Sequence, residues 1–201
     1  MYMKFKRAMD IVISGLGIIV ISPIIIALLI LIKLDSPGPI LFRQKRVGIN
    51  RGNFDILKFR TMSIDTPKDT PTHMLENPEQ YITKVGKVLR KTSLDELPQI
   101  FNILKGEMSI VGPRPALWNQ YDLLDERDKY GANNIRPGLT GWAQIHGRDE
   151  ISIEEKAKLD GYYVENMGIG MDLKCFFGTF VAVVKSEGFA EGGGQNKKNS
   201  K

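Results

Sequence analysis

Apolar positions fall into one long run near the start of the chain and into shorter periodic segments after it. From residue 11 to residue 32 the run has 22 positions without a charged side chain. A helix of that length reaches roughly 33 Å at about 1.5 Å per residue, enough to cross a hydrocarbon core of about 30 Å. The pattern therefore predicts a membrane helix within residues 1–36.

The centre and the flanks of this run leave two topologies open. Ser22-Pro23 lies at the centre, where proline removes a helical hydrogen bond and bends the helix, while the serine hydroxyl can bond to the freed carbonyl. Lys4 precedes the run and Lys33 follows it, and basic flanks are typical of the cytoplasmic side of a membrane. A helix that spans the membrane and a re-entrant helix that enters and leaves on the cytoplasmic face both fit these residues.

After a break at residues 35–39, the pattern predicts a two-stranded hairpin. The strands fall at 40–47 and 54–62, on either side of a turn that contains glycine. Their basic residues are Arg43, Lys45, Arg46, Lys58 and Arg60. These charges fit either a solvated face or a contact with lipid phosphate. Residues 63–80, with several prolines and many polar side chains, predict a loop.

The remaining periodic segments predict helices. They lie at 81–91, at 118–130, after the capping box formed by Ser152 and Glu155, and at 171–185. A short strand is predicted at 109–111. The wide apolar face of 171–185 fits core packing, and it also fits an interfacial position beside the membrane helix.

These elements together predict a helix-rich α+β fold in three parts. The membrane segment occupies 1–36, and a domain with a β-hairpin and amphipathic helices occupies 37–190. Residues 191–201 are rich in glycine and lysine, a composition that predicts a disordered tail.

Charge and cysteine content narrow the chemistry. The chain has 28 Lys+Arg against 23 Asp+Glu and a formal net charge of +5, which favours anionic partners such as phosphate esters or anionic lipid. Cys175 is the single cysteine, which excludes an intrachain disulfide and indicates a reducing, cytoplasmic setting. The sequence has no zinc-ligand spacing, no G-x-G-x-x-G and no P-loop pattern. Because no nucleic-acid-reading motif accompanies the basic residues, nucleic acid is not an expected partner.

Two adjacent carboxylates, Asp95 and Glu96, follow a basic pair and are the main candidates for chemistry. With Ser93 they match a capping box, in which Ser93 caps a helix and Glu96 bonds back to the Ser93 amide. The same residues suit phosphate chemistry, because a helix start binds phosphate and a carboxylate there can attack phosphorus or hold Mg²⁺. A helix that starts at Ser93 contains the dyad in its first turn. One that starts near Pro98 has the dyad just ahead of it.

Arginines beside prolines and glycines form a second group of candidates. Arg114 lies between two prolines at 112–115, a rigid turn that suits bidentate recognition of phosphate, although a purely structural turn explains it equally well. Arg136 and Arg148 lie in the glycine-rich segment 135–148.

The order of these motifs resembles that of one protein family. The motifs are Ser22-Pro23, Lys58-Phe59-Arg60-Thr61-Met62, Ser93-Leu94-Asp95-Glu96-Leu97-Pro98-Gln99, Val111-Gly112-Pro113-Arg114-Pro115 and Arg136-Pro137-Gly138-Leu139-Thr140-Gly141-Trp142. Together they resemble the bacterial sugar transferases, the monotopic polyprenyl-phosphate phosphoglycosyl transferases, in their short catalytic-core form. The resemblance covers the chain from about Lys4 to Lys185.

The resemblance implies a reaction and roles for the candidate residues. A sugar-1-phosphate passes from a UDP-sugar to undecaprenyl phosphate, and UMP is released. Asp95 takes the place of the nucleophile that forms a covalent phosphosugar intermediate, and Glu96 takes the place of its partner. Both are also the implied ligands of a Mg²⁺ cofactor. Arg60, Arg90 and Arg114 match positive positions around the phosphates, whereas Arg136 and Arg148 are candidates for the nucleotide.

The resemblance also implies a location and partners. The apolar run becomes a kinked re-entrant helix hairpin, and the domain lies on the cytoplasmic face of the bacterial inner membrane. The implied process is the first membrane step in assembling a glycan such as a capsule, exopolysaccharide, O-antigen or glycoprotein. Membrane lipid is an implied partner, and a second copy of the chain is a candidate one. The alternative function is a non-catalytic, membrane-attached adaptor of a glycan assembly complex.

Overall fold

The computed structural model describes residues 1–66, 77–147 and 151–185, so the tail predicted at 191–201 lies outside the described residues. A long amino-terminal helix packs on a helix-rich domain with two small sheets, as the predicted α+β class requires. The helices are α1 (Tyr2–Asp35), α2 (Lys84–Thr92), α3 (Gln99–Lys105), α4 (Tyr121–Asp128), α5 (Trp142–Ile145), α6 (Ile153–Glu165) and α7 (Ile169–Lys185). The strands are β1 (Leu41–Val47), β2 (Asn53–Phe59), β3 (Ser109–Val111) and β4 (Gly138–Thr140).

Helix α1 continues through its central proline. Pro23 has no N–H to donate to the carbonyl of Ile19, four residues earlier. The hydroxyl of Ser22 donates to that carbonyl instead, at 2.8 Å, as predicted for the serine of this pair. Around the proline the apolar side chains face outward, and Val20 is 75% exposed. Among the described residues, α1 is the one helix long and apolar enough to cross a membrane.

One face of α1 packs against the domain at both ends of the helix. Its buried residues are Lys6, Asp10, Ser14, Leu28 and Ile32. At about 100° per residue these five side chains fall within a sector of about 80°. The buried face is polar in the first half of the helix and apolar in the second half, so the two halves are held by different interactions.

Polar contacts hold the first half of α1. Lys6 and Asp172 form an ion pair at 2.5 Å. The buried carboxylate of Asp10 accepts from the hydroxyl of Ser109 at 2.8 Å and from the next backbone amide at 3.0 Å. Arg7 donates to two carbonyl oxygens at the end of α3, at 2.6 and 2.8 Å. Each contact satisfies a group that would be costly to leave unpaired in a buried or apolar setting.

Apolar contacts hold the second half of α1. Leu28 and Ile32 form a buried cluster with Phe59 of β2 and Leu89 of α2. At the end of the helix, Asp35 accepts a hydrogen bond from a backbone amide in the first turn of α2 at 3.0 Å. An acceptor at a helix start satisfies one of the amides that lack a partner within the helix. Both ends of α1 are therefore attached to the same domain.

The hairpin forms as predicted, and α3 completes its inner edge. Strands β1 and β2 pair antiparallel from Leu41 opposite Phe59 to Val47 opposite Asn53. On the other edge of β2, the fully buried Asn102 of α3 accepts from one backbone amide at 3.0 Å and donates to a carbonyl two residues away at 2.9 Å. One side chain thus replaces part of a third strand.

The short parallel pair β3 and β4 depends on glycine. The amide of Gly112 donates to the carbonyl of Thr140, and that of Gly138 donates to the carbonyl of Pro113, each at 2.8 Å. A Cβ atom on Gly138 would lie 2.1 Å from the backbone nitrogen of Gly112, a distance that no side chain permits. The two glycine-containing motifs of the sequence therefore interlock through their backbones.

The apolar face of α7 differs from the default expectation of core packing. Met171 and Cys175 are buried, but Phe177 and Phe180 are 60% and 58% exposed, and Leu173 is also exposed. Only one side of this helix enters the core. The exposed side favours the interfacial alternative, because a soluble protein rarely leaves such a contiguous apolar face uncovered.

Several element boundaries differ from prediction. Helix α2 begins after Thr83, whose hydroxyl accepts from the amide of Gly86 at 2.9 Å, because residues 78–81 form a separate 3₁₀ turn. Helix α4 is shorter than the predicted 118–130, and segment 135–148 contains β4 and α5. At α6 the predicted cap is present, since Ser152 accepts from the amide of Glu155 at 3.2 Å.

Replacing Asn102 by Ala should destabilise the whole domain. The change would leave the amide and carbonyl on the edge of β2, and the carboxylate of Glu107, without this partner. Such losses predict a decrease of about 3 kcal/mol in the free energy of unfolding, measurable by chemical denaturation in detergent. Asn53→Ala, at an exposed position of the same hairpin, is the matched control and should change little. Equal stability of Asn102→Ala and the unaltered chain would contradict the assigned role.

Candidate active site

The carboxylate dyad lies on a short turn immediately before a helix. Ser93 ends α2 in the left-handed conformation, with φ 56°, and residues 94–96 form a 3₁₀ turn. Pro98 precedes the first residue of α3 with φ −63°, a value that its ring favours at a helix start. The helix thus begins near Pro98, and Asp95 and Glu96 lie just ahead of it.

The capping box predicted at Ser93 is wrong. The serine side chain makes no capping hydrogen bond, because its left-handed backbone differs from the extended conformation that an N-cap residue adopts. The carboxylate of Glu96 faces a different partner: it accepts from Lys58 of β2 at 2.8 Å. Glu96 is therefore available to the site and does not cap the helix.

Two cations hold Glu96. Besides Lys58, the Arg114 guanidinium lies 3.4 Å from the same carboxylate oxygen. The side chain of Glu96 is 15% exposed, so solvent screens these pairs less than it screens surface pairs. The structure thus brings the arginine turn, the hairpin and the dyad together at one point.

Asp95 is in a partly desolvated position. Burial raises the pKa of the Asp95 carboxyl, and the neighbouring Glu96 charge raises it further, while Lys58 and Arg90 act in the opposite direction. A carboxylate with little hydration is a better nucleophile than one in water, provided that nearby cations keep it ionised. At Asp95 burial removes hydration, while Lys58 and Arg90 favour the ionised form.

Arg90 lies in the last turn of α2, one turn before the dyad. Its Nε donates to the hydroxyl of Thr61 at 2.9 Å, which attaches the side chain just beyond the end of β2, the strand that carries Lys58. The effect of Arg90 on the Asp95 pKa places its charge within electrostatic reach of the dyad. The structure therefore brings together Arg90, Arg114, Asp95 and Glu96 of the residues predicted from sequence.

Arg60 is hydrogen-bonded to the backbone at the end of α1 and supports that helix. Its buried guanidinium donates to the carbonyl of Pro37 at 2.5 Å, and to the carbonyl and hydroxyl of Ser36 at 2.7 and 2.9 Å. Within the described part of the chain, these bonds attach Arg60 to the end of α1 and not to the dyad. Cations are favoured at helix carboxyl termini, a role that the sequence did not reveal.

Of the two arginines predicted for the nucleotide, Arg136 lies away from the dyad. The Nε of Arg136 donates to the carbonyl of Gly106 at 2.8 Å, at the opposite end of α3 from the dyad, where Arg136 lines a small cavity with Lys6 and Arg7. Arg148 lies outside the described residues.

Lys58 lies at the site, although it was not among the site residues predicted from the sequence. It contacts Glu96 and influences Asp95, although 38 positions separate Lys58 from Glu96 along the chain. One signal was present in the sequence, since Lys58 belongs to the motif Lys58-Phe59-Arg60-Thr61-Met62 on which the family resemblance rests.

The fit of the dyad to Mg²⁺ depends on how many carboxylates lie near it. No group of three or more His, Cys, Asp or Glu side chains suited to a metal lies within residues 1–66, 77–147 and 151–185. Mg²⁺ is usually bound by one or two carboxylates together with substrate phosphates and water, and Asp95 and Glu96 fit that pattern. The dyad suits a metal that arrives with a phosphate substrate.

These features define a class of protein: a membrane-associated protein with a carboxylate dyad surrounded by cations, as enzymes acting on phosphate esters require. A family model described as bacterial sugar transferase matches residues 1–186. The chain belongs to the bacterial sugar transferase family.

Several characterised and uncharacterised relatives are similar over most of the chain. A UDP-N-acetylgalactosamine-undecaprenyl-phosphate N-acetylgalactosaminephosphotransferase of Aeromonas hydrophila is 38% identical over 192 residues, covering 93% of this chain and 45% of that protein. The uncharacterized sugar transferase EpsL of Bacillus subtilis is 39% identical over 189 residues, covering 94% of this chain and 92% of that protein. A UDP-glucose:undecaprenyl-phosphate glucose-1-phosphate transferase of Escherichia coli is 41% identical over 180 residues, covering 86% and 38%. This chain spans less than half the length of the first and third relatives.

Replacing Asp95 by Asn should stabilise the fold at neutral pH. Because burial raises the folded-state pKa of Asp95, the folded state disfavours the ionised carboxylate, and this penalty is complete above the folded-state pKa and lost below the unfolded-state pKa. We expect Asp95→Asn to melt at a higher temperature than the unaltered chain near neutral pH, with a difference that decreases as pH falls through the folded-state pKa. Circular-dichroism melts in detergent from about pH 4 to about pH 8 measure this.

The exposed variant Asp122→Asn is the control for the Asp95 melts and should show no such pH-dependent gain. A lower melting temperature for Asp95→Asn near neutral pH would show that the cations outweigh desolvation at this position.

Proposed function

We propose that this chain is a phosphoglycosyl transferase that moves a sugar-1-phosphate from a UDP-sugar to undecaprenyl phosphate and releases UMP. The observation that carries the proposal is the position of Asp95, partly buried on the turn before α3 and within the electrostatic reach of Lys58 and Arg90. The Aeromonas and Escherichia relatives are named for transfers of this kind to undecaprenyl phosphate.

In the first step an oxygen of the Asp95 carboxylate attacks the sugar-proximal phosphorus of the donor. A bond forms between that oxygen and phosphorus, and the bond from phosphorus to the bridging oxygen breaks, so that UMP leaves with the electron pair. In the second step a phosphate oxygen of undecaprenyl phosphate attacks the same phosphorus. The bond to Asp95 breaks, and the free carboxylate is restored.

The cations around the dyad have two functions in this proposal. Lys58 and Arg90 lower the pKa of Asp95 and so favour its ionised form, against the larger opposite effect of burial. With Arg114 they also offset the charge that develops on the phosphate oxygens. Glu96 has a fixed orientation because Lys58 and Arg114 hold it. Mg²⁺, when bound by Asp95 and Glu96 together with the donor phosphates, supplies further charge neutralisation.

The other arginines predicted from the sequence have different roles in this proposal. We assign Arg60 to the support of α1, since its donors bond to the end of that helix. Nucleotide recognition by Arg136 and Arg148 stays a prediction, as does assembly with a second copy of the chain. The implied process is the first membrane step of glycan assembly.

We further propose that α1 is re-entrant. A helix that spans the membrane has its two ends about 30 Å apart on opposite faces. Here Asp10 and Asp35, near the two ends of α1, each accept hydrogen bonds from the same domain. The exposed apolar middle around Val20 and Ile24 enters the bilayer, and Pro23 provides the position for the bend.

Helix α7 adds a second membrane contact in this proposal. Its exposed phenylalanines, at 177 and 180, extend outward from a helix whose first turn is joined to α1 through the Lys6–Asp172 ion pair. An amphipathic helix of this kind lies in the interface, with its apolar face in the acyl region. The domain then rests on the cytoplasmic face of the inner membrane, where UDP-sugars are available.

The transferase proposal predicts UMP release that depends on both substrates and on Asp95. Purified protein in detergent with Mg²⁺ should release UMP catalytically from at least one UDP-sugar only when undecaprenyl phosphate is present. Asp95→Asn should lower this rate by on the order of 10³-fold or more, because no other group forms the covalent bond. The exposed Asp122→Asn variant is the control and should keep full activity.

Without acceptor, the tryptic peptide spanning residues 92–105 should gain the mass of the sugar phosphate, and UMP should form in an amount equal to the enzyme. Full turnover by Asp95→Asn would exclude the nucleophile assignment. Absence of turnover over a broad UDP-sugar panel would favour the adaptor function.

The re-entrant topology predicts that both ends of α1 are on the cytoplasmic side. A cysteine in a tag before Lys4 and a cysteine at Leu34→Cys, which is a highly exposed position, should both resist a membrane-impermeant thiol reagent added to intact cells. Both should react after permeabilisation. Val20→Cys, in the lipid-facing middle, should react poorly in both conditions.

Natural Cys175 is fully buried and gives little background in this labelling experiment. Labelling of the amino-terminal tag alone in intact cells would instead demonstrate a spanning helix.

A further inference from the structure

The backbone of the arginine turn accepts hydrogen bonds along its whole length through its carbonyl groups. The carbonyl of Pro113 accepts from the amide of Gly138 at 2.8 Å, and that of Ala116 accepts from the amide at the end of β1 at 3.0 Å. The two carbonyls between them accept from buried or half-buried arginine side chains, each at 3.0 Å. Four successive carbonyls are thus bonded to four separate donors.

This mode of attachment follows from the sequence of the turn. Pro113 and Pro115 have no N–H, so neither can be held by a donated backbone hydrogen bond. Accepted hydrogen bonds therefore carry much of the attachment of the turn, and the carbonyl between the two prolines belongs to Arg114 itself. The residue that donates to this carbonyl therefore has the most direct control over where the Arg114 side chain begins.

That donor is Arg127 of α4. Its Nη1 donates to the Arg114 carbonyl at 3.0 Å. Its Nε and Nη2 both contact one carboxylate oxygen of Asp160 in α6, at 2.8 and 2.6 Å. The two side chains are 4% and 1% exposed, so this is a desolvated ion pair with its geometry fixed on both sides. A guanidinium can serve two acceptors at once because its donors form a rigid planar fork.

We propose that Arg127, oriented by Asp160, is a positioning residue for the transfer reaction. It fixes the main chain at Arg114 and so places the Arg114 guanidinium beside Glu96, 3.4 Å from the carboxylate oxygen that also accepts from Lys58. The inference rests on the proposed function, since it assigns Arg127 a role in that same site. Arg127 acts only through Arg114. In the described residues it contacts neither carboxylate of the dyad.

A purely structural ion pair makes a different prediction from a positioning residue. If Arg127 only stabilised the fold, its loss would reduce activity by the same factor whether or not Arg114 was present. If it acts through Arg114, its loss should matter only while Arg114 has a side chain to place. A double-mutant cycle separates these cases, because coupled residues give non-additive effects.

The experiment measures UMP release by Arg127→Met, Arg114→Ala and the double variant, each well below its melting temperature. We expect Arg127→Met to lower kcat/KM by about 30-fold, since a displacement of about 1 Å in a catalytic group costs up to about 100-fold. In the Arg114→Ala background the same change should cost no more than about 2-fold. Arg127→Lys should restore part of the activity, because an ammonium can still donate to the Arg114 carbonyl.

Met171→Ala is the matched control for lost stability, since Met171 is buried in α7, an element that contains neither Arg127 nor the arginine turn. It should lower the melting temperature but keep kcat/KM within about 2-fold of the unaltered chain. If Arg127→Met does not fold, Asp160→Asn provides the second test, because it keeps Arg127 and removes only its charged partner. Asp160→Asn should also be less harmful in the Arg114→Ala background.

Equal losses for Arg127→Met, or for Asp160→Asn in its place, in both backgrounds would overturn the positioning role and leave a structural ion pair. A failure of the unaltered chain and of Met171→Ala to turn over any UDP-sugar would instead overturn the proposed function, and the positioning role with it. The two failures are therefore distinguishable.

Discussion

The contact between Asn102 and the edge of β2 determines how the remaining parts of the site are arranged. Asn102 joins α3 to the strand that carries Lys58, while the turn before α3 carries Asp95 and Glu96. The other end of α3 is bonded by Arg7 of α1. A single short helix thus connects the membrane segment, the hairpin and the dyad, so that none of the three can shift independently.

The electrostatic design of the site follows from this arrangement. Lys58, Arg90 and Arg114 are cations, and they face the two carboxylates of the dyad. The resulting positive excess suits a diphosphate, which brings several negative charges of its own. Partial burial makes each of these interactions stronger than it would be in water. It also makes the ionised form of Asp95 costly, a conflict between stability and function that is common at reactive groups.

Local rules predicted the features that depend on neighbouring residues. The apolar run, the bond from Ser22 to the carbonyl freed by Pro23 and the hairpin all follow from short-range chemistry. The start of α3 near Pro98 was one of two alternatives that the sequence left open. The capping box failed for a local reason too, because the left-handed backbone of Ser93 was not visible in the residue types. Contacts between residues that are distant along the chain could not be predicted from the sequence. The bonds of Lys58 to Glu96 and of Arg60 to the end of α1 required the folded arrangement of separate elements.

The buried face of α1 is polar in its first half and apolar in its second half, and this difference links membrane insertion to folding. Lys6 and Asp10 are buried in this half of the helix, and the domain supplies their partners. Without the folded domain, the same half of the helix presents a charged pair that lipid would exclude. We expect the apolar run by itself to enter a bilayer as an ordinary spanning segment, whereas in the proposed re-entrant topology the folded domain holds both ends on one side. In that proposal topology is an equilibrium property of the whole chain, and a mutation in the domain core would change it without altering any residue in the membrane.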